Sequence, residues 1–303
     1  MTTYSDVARV LASRIAAGEI AVGERLPSVR LVAAECGASQ ATAQRAYREL
    51  ARWGVIETAS RRTAAVAVGG AAAARRQLRG RAPFRIAAGD DPALRLLAAG
   101  LEDIVVVHVE GGSASALRAV RRGSADGAAI HLAHVDGGGN ETFARAALAG
   151  RETSLLHLFS RETGLLVAPG NPHRVRSGSD LAGLRVARQP VGAGGRGPLD
   201  RLTQRAGIEL DASDPVVPTA SDVAIAIATG SADVGVGTRA IARSYDLAFA
   251  PLGWEALEVA LATADEGGVA PIQTALADPA VRAAIDRLEG YDLSLAGTLT
   301  RLG

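Results

Sequence analysis

Lysine is absent from the 303-residue sequence, so every one of its 33 cationic side chains is an arginine. That excludes Schiff-base catalysis, pyridoxal phosphate attachment and a P-loop lysine, all of which need the amine. A single cysteine, Cys36, excludes an intrachain disulfide and a cysteine-rich zinc site, and fits a reducing cytoplasm. Long apolar runs are missing too. Asp6, Arg9, Arg14 and Glu19 interrupt the N-terminus where an export signal is apolar, and no stretch approaches a membrane span. No membrane partner is expected.

What is present is a composition that folds: 48% hydrophobic and 21% charged residues, enough for two or three compact domains. The net charge of +1 hides an asymmetry, since residues 1–82 carry 13 Arg against 6 acidic residues while 83–303 carry 20 against 26. A basic head joined to an acidic body points to a polyanion-binding module on a body with another task.

Helical spacing of Val7, Val10, Leu11 and Ile15, closed by Gly18, predicts a first helix. Ser28 caps a short second one that Gly37 closes. Ser39 caps a third with the apolar stripe Ala43, Ala46, Tyr47, Leu50 and Trp53. Two strand-like runs follow at 55–58 and 63–68, on either side of Ala59 to Arg62. Three helices and a basic hairpin make a winged helix-turn-helix. Its third helix would enter the major groove by its N-terminal end, with Gln40, Thr42 and Gln44 at base edges and Arg45, Arg48 and Arg52 on phosphates.

With Gly23-Glu24-Arg25-Leu26-Pro27-Ser28, Arg30 and Gly37-Ala38-Ser39-Gln40-Ala41-Thr42 in place, residues 4–68 resemble the DNA-binding domain of GntR-type transcription regulators. The resemblance implies DNA contacts from Arg30, Ser39, Gln40, Thr42 and Arg45. Two departures stand out. Gln40 occupies a position that is usually arginine, and Ser60, Arg61 and Arg62 replace the wing glycines, which adds Arg61 and Arg62 to the candidate contacts.

Residues 1–68 are thus expected to form the winged helix, 69–82 a basic linker with room for one helical turn or two, and 83–303 a two-lobed α/β body. In the body, strand and helix alternate, which argues for parallel sheets. The string Gly-Ser-Ala-Asp occurs at 123–126 and again at 230–233, each time after an apolar helix and before a short strand. Two such units suggest two similar lobes with a ligand cleft between them. Ser113 opens the helix of one unit, and Thr219 and Ser221 that of the other.

The body also resembles the two-lobed periplasmic binding protein-like domain fused to helix-turn-helix regulators and related to molybdate-binding proteins. Asp91-Pro92-Ala93-Leu94, Gly112-Ser113, Arg161 to Leu165, Gly170-Asn171-Pro172, Arg188-Gln189, Gly192 to Arg196 and Gly230 to Gly237 carry that resemblance.

The turn Gly192 to Gly197 fits a dinucleotide fingerprint or, better, an oxyanion cradle in which backbone amides at Gly192, Gly194 and Gly195 and the Arg196 guanidinium donate to a negative group. Ala193 and Gly195 stand where the related family places hydroxyls, which leaves room for a bulkier organic anion. Arg161 and Arg188 serve either as anion clamps or as structural ion pairs. Asp90, Asp91, Gly112, Ser113, His131, Gln189, Thr219 and Ser221 complete the candidate lining. His131, His134 and Asp136 lack a further clustered ligand, so no metal is expected.

The expectation is a cytoplasmic, ligand-responsive transcription regulator without catalytic residues or cofactor. It would act as a homodimer on a palindromic duplex operator and sense a small anion, an organic acid or an oxyanion. The alternative is a nucleotide- or dinucleotide-binding enzyme domain tethered to DNA.

Overall fold

The computed structural model describes residues 2–59, 63–67, 69–78, 83–99, 101, 104–132, 139–262 and 267–302. They group into two compact units, residues 1–85 with 102–105 and 118–126, and 86–101 with 106–117 and 127–303.

The first unit opens with helix α1 (Tyr4–Ala17), started by a capping box in which Thr3 Oγ1 accepts from the Asp6 amide and Asp6 accepts from the Thr3 amide. Gly18, at φ 82°, ends it in the left-handed conformation that glycine tolerates. Helices α2 (Val29–Glu35) and α3 (Gln40–Arg52) follow, capped by Ser28 and Ser39. Strands β1 (Ile56–Ala59) and β2 (Thr63–Val66) pair antiparallel, and a bridge from Arg25 to Ala65 ties the α1–α2 loop to the hairpin. Arg61 and Arg62 lie outside the described residues. Leu11, Ile15, Val32, Ala43, Ala46 and Leu50 meet in one buried core, each large side chain contributing about 1.5–3 kcal/mol on burial.

The segment expected as a linker departs from that description. Gly70–Gln77 is helix α4, and Ala71, Ala73, Ala74 and Leu78 are buried in the same core as Leu11 and Leu50. Alanines favour helix and are small enough for close packing. At Gly70 the approach is closer still, since a Cβ there would lie 2.2 Å from the Val55 carbonyl oxygen.

Along the body run β3 (Phe84–Ala88), α5 (Pro92–Ala99), β4 (Ile104–His108), α6 (Gly112–Arg121), β5 (Gly127–Ile130), α7 (Asn140–Ala147) and β6 (Thr153–Val167). After them come β7 (Val186–Ala187), α8 (Arg196–Ala206), α9 (Ala220–Ala228), β8 (Val234–Thr238), α10 (Arg239–Ser244) and β9 (Ala248–Ala262). The chain closes with α11 (Val269–Ala277), α12 (Pro279–Asp286), β10 (Tyr291–Asp292) and β11 (Leu299–Leu302).

The sheet order is β4-β3-β5-β9-β6-β8-β7, with β10 and β11 also on β6. Parallel pairing is confirmed for β3 with β5 and for β7 with β8, but a long antiparallel ladder joins them, running from Thr153 opposite Ala262 to Val167 opposite Ala248. That ladder, made by β6 and β9 of 15 residues each, lies outside any strand–helix alternation and so outside the expectation of parallel sheets. One end carries β5, the other β8, which makes β6 and β9 the shared spine of two lobes. Within the second lobe, apolar cores cover both faces of β8, one built with α9 and α10 and the other with α8.

The repeated string folds alike in both places. Asp126 accepts a hydrogen bond from the Arg85 amide at 2.9 Å, and Asp233 one from the Arg185 amide at 2.9 Å. Each aspartate fastens the turn after a helix to the chain beside a strand.

Candidate ligand cleft and nucleic-acid interface

On the head, Ser39 Oγ accepts from the Thr42 amide at 3.1 Å and lies 2.8 Å from Thr42 Oγ1. Both hydroxyls therefore hold the helix start and each other, whereas the sequence reading had them reaching toward DNA. Gln40, Gln44, Arg45 and Arg48 of α3 and Arg30 of α2 are exposed. The Arg45 guanidinium rests 4.0 Å above the Tyr4 ring, which steadies it on α1. Arg52 pairs with Glu49 at 2.5 Å within its own helix. Tyr47, its phenol pushed up to about 12 by burial and by Glu35, donates to the Pro27 carbonyl and fixes α3 against the turn before α2.

In the body a cleft lies between the lobes, lined by Gly89, Asp90, His108, Glu110 and Gly112 from the first, Arg161, Thr163 and Glu255 from the spine, and Gln189, Gly194, Gly195 and Thr219 from the second. Contacts across it draw it closed. Ser221 donates to Asp90 Oδ2 at 2.8 Å, the Ala114 amide donates to the Gly192 carbonyl at 3.2 Å, and Gly194 packs on the His131 ring so closely that a Cβ would sit 1.4 Å from its Cε1. The enclosed room is about 50 Å³, the space of a few water molecules.

Residues 94–276, more than half of the chain, match the family described as PBP superfamily domain. The chain belongs to the PBP superfamily. Residues 3–66 match the family described as bacterial regulatory proteins, gntR family, so a gntR-family head precedes the PBP-superfamily body. A Bacillus subtilis (strain 168) protein described as uncharacterized protein YvgK is 25% identical over 224 residues, 71% of this chain and 73% of that protein. Among solved structures, the Corynebacterium glutamicum OxyR C206 mutant superposes with a TM-score of 0.50 at 15% identity, covering 94% of this chain and 96% of that one. The P235GK mutant of ArgBP from T. maritima gives 0.50 at 15% identity, over 70% of this chain and 96% of that one. At such identities the likeness shows the fold.

Of the two roles open to the arginines, the structure gives Arg161 that of an ion pair. Arg161 is buried, its Nη1 2.6 Å from Asp91 and its Nη2 2.7 Å from Glu255, so two carboxylates already compensate its charge. Burial alone would lower its pKa, but Glu255 and Asp91 reverse that and raise it. Burial likewise raises the Glu255 carboxyl, while Arg161 and His131 overcome it and hold the group down at about 2. Arg188 turns to the Ala212 carbonyl at 3.1 Å, and Arg196 to Asp200 at 2.7 Å and the Gln189 carbonyl at 3.4 Å; neither lines the cleft.

Other candidates sort by what they touch. Asp91 is buried beneath Arg161 and caps α5, accepting from the Leu94 amide at 3.0 Å. Ser113, 1% exposed, accepts from the His131 amide at 3.1 Å. Thr219 closes a capping box with Asp222 at the start of α9, and Ser221 is committed to Asp90. Gly192, at φ 92°, supplies its carbonyl to Ala114. The His131 imidazole lines the cleft with Nδ1 3.1 Å from Glu255 Oε1, off the line that a full hydrogen bond needs. His134 and Asp136 lie outside the described residues.

The glycine turn does not have dinucleotide geometry. Residues 188–195 separate β7 from α8, and the Gly195 amide donates to Gln189 Oε1 at 2.9 Å. A fingerprint turn runs directly from strand to helix and leaves its amides free for phosphate.

Sequence reasoning missed His108, Glu110, Thr163, Thr238 and Glu255, all of which line the cleft. His108 and Glu110 were findable, because they end β4 just before a glycine turn into α6, the carboxyl end of a strand where α/β folds place ligands. Glu255 sits mid-strand in β9 and had no local signal.

Proposed function

We propose that the protein is a one-component transcription regulator whose head binds operator DNA and whose body senses a small effector. One observation carries this reading: a gntR-family head with Gln40, Gln44, Arg45 and Arg48 open to solvent shares a chain with a PBP-superfamily body that encloses a lined cleft. Gln40 and Gln44 read base edges from the N-terminal half of α3, while Arg30, Arg45, Arg48 and the wing residues Arg61 and Arg62 hold phosphates. Ser39 and Thr42 shape the helix start that enters the groove.

The protein acts in the cytoplasm as a homodimer on a palindromic operator, since paired half-sites match paired heads. The effector presents an anionic group to the second lobe, where the first turn of α9 and the Gln189 side-chain amide supply donors. No catalytic residue, metal or cofactor is assigned. An effector that prefers the closed cleft shifts DNA affinity by its differential affinity for the two lobe arrangements.

Selection of duplexes from a random pool by the full chain, followed by anisotropy titration, tests the reading. A two-half-site palindrome bound with steep salt dependence is expected. Absence of any sequence preference overturns it.

A further inference from the structure

The cleft has two chemically different walls. Glu110 and Glu255 bring two carboxylates to the lining against one guanidinium, Arg161, which Asp91 shares with Glu255; the third, Asp90, is already taken by Arg95 and Ser221. Glu110, at the mouth, has no hydrogen bond or ion pair among the described residues. Opposite stands Gln189, 8% exposed, its Oε1 fixed by the Gly195 amide so that its Nε2 is left without a partner among the described residues. Beside it begins α9, where the Ala220 and Ser221 amides have no acceptor within the helix and the Asp222 amide is taken by Thr219 Oγ1. An anionic group entering the cleft would give the Gln189 side-chain amide an acceptor.

A bare anion would satisfy the Gln189 wall and be repelled by the carboxylate wall; a bare cation would do the reverse. We propose that the effector is a small zwitterion, its cationic nitrogen held by Glu110 and Glu255 and its anionic group by Gln189 and the first turn of α9. This rests on the regulator reading above and adds the ligand class. Burial strengthens the choice, because each charge that enters so small a space must meet its opposite once water leaves.

Calorimetry and thermal melts of the full chain test this with matched probes. The common α-amino acids and glycine betaine are each set against an amine-free counterpart of the same skeleton, with sulfate and molybdate as bare anions. At least one zwitterion is expected to bind at least about tenfold more tightly than its amine-free partner, a difference of about 1.4 kcal/mol. Glu110→Gln should weaken that zwitterion by a similar factor, with the variant's own unliganded melt as the folding control. Preference for an amine-free anion, tightened by Glu110→Gln, overturns the proposal. Native mass spectrometry of the chain purified from its host adds a second readout: a retained molecule without a cationic nitrogen overturns the ligand class alone. No retained molecule and no probe bound removes the effector-sensing reading together with it.

Discussion

Arg75 lays its guanidinium across Asp126, with Nε 2.9 Å from Oδ1 and 3.0 Å from Oδ2, both side chains almost wholly buried. It also donates to the carbonyls of Gly123 and Ala16. The second copy of the repeat shows what this replaces. There Arg185 alone satisfies Asp233 and the Gly230 carbonyl, through its own amide and its own side chain. In the first copy the corresponding Arg85 keeps the amide bond to Asp126 but sends its side chain to the Ala16 carbonyl, and Arg75 of α4 fills the cradle. One string thus serves as a closed local clamp at 230–233 and as the socket for α4 at 123–126.

Arg75→Ala should destabilise the protein by about 3–5 kcal/mol, because it leaves the Asp126 charge buried and unpaired. Arg185→Ala removes the matching group from a solvent-exposed pair and should leave the urea midpoint close to that of the parent. Equal losses for the two variants would show that the buried socket has no special weight.

Glu255 makes stability sensitive to acid in a defined window. Its folded value of about 2 lies below the ordinary 4.5, so the stability it contributes is present above 4.5 and is lost as pH falls toward 2. Glu258 moves in the same direction, burial raising it while His157 and Asn140 pull it lower. Glu255→Gln should therefore flatten the fall in urea-derived stability between about pH 5 and 2. A slope unchanged from the parent would place the acid sensitivity elsewhere.

Gly194→Ala should keep the lobes from meeting, since its Cβ would fall on the His131 ring. The backbone there has an ordinary φ, so the glycine is required by space and not by conformation. Effector affinity should drop at least about tenfold, and His131→Ala in the same chain should restore part of it. Titration calorimetry on the two variants and the parent decides the point; no recovery in the double variant counts against the steric explanation.

On the head, Arg48→Ala should weaken all duplexes alike and lower the salt slope by about one phosphate contact. Gln40→Ala should cost about 1–3 kcal/mol on the preferred operator and far less on random DNA. Anisotropy titrations across salt concentrations separate the two effects, and identical behaviour of both variants would argue against Gln40 reading a base.

The head was legible because its signals are local. Ser28 and Ser39 cap the helices as their hydroxyls predict, Gly18 ends α1, and the apolar stripe of α3 faces the core. Helix α4 was read as linker because Gly70–Gln77 holds no large apolar side chain; burial beside Leu11 and Leu50 reveals its role.

The repeat at 123–126 and 230–233 foretold two lobes, and the turns around Gly112, Gly194 and Thr219 lie along the cleft between them. Its polarity was not legible. A side chain's charge is written in the sequence, but its partner is chosen by strands far apart along the chain. Arg161 meets Asp91 across 70 positions and Glu255 across 94, and only the pairing of β6 with β9 brings Glu255 to it. Local spacing therefore determined the helices, caps and turns, whereas the tertiary structure decided which charges cancel in the interior and which remain to face a ligand. Helices and turns close hydrogen bonds between near neighbours, while ion pairs form wherever the sheet register delivers opposite charges into a low-dielectric interior.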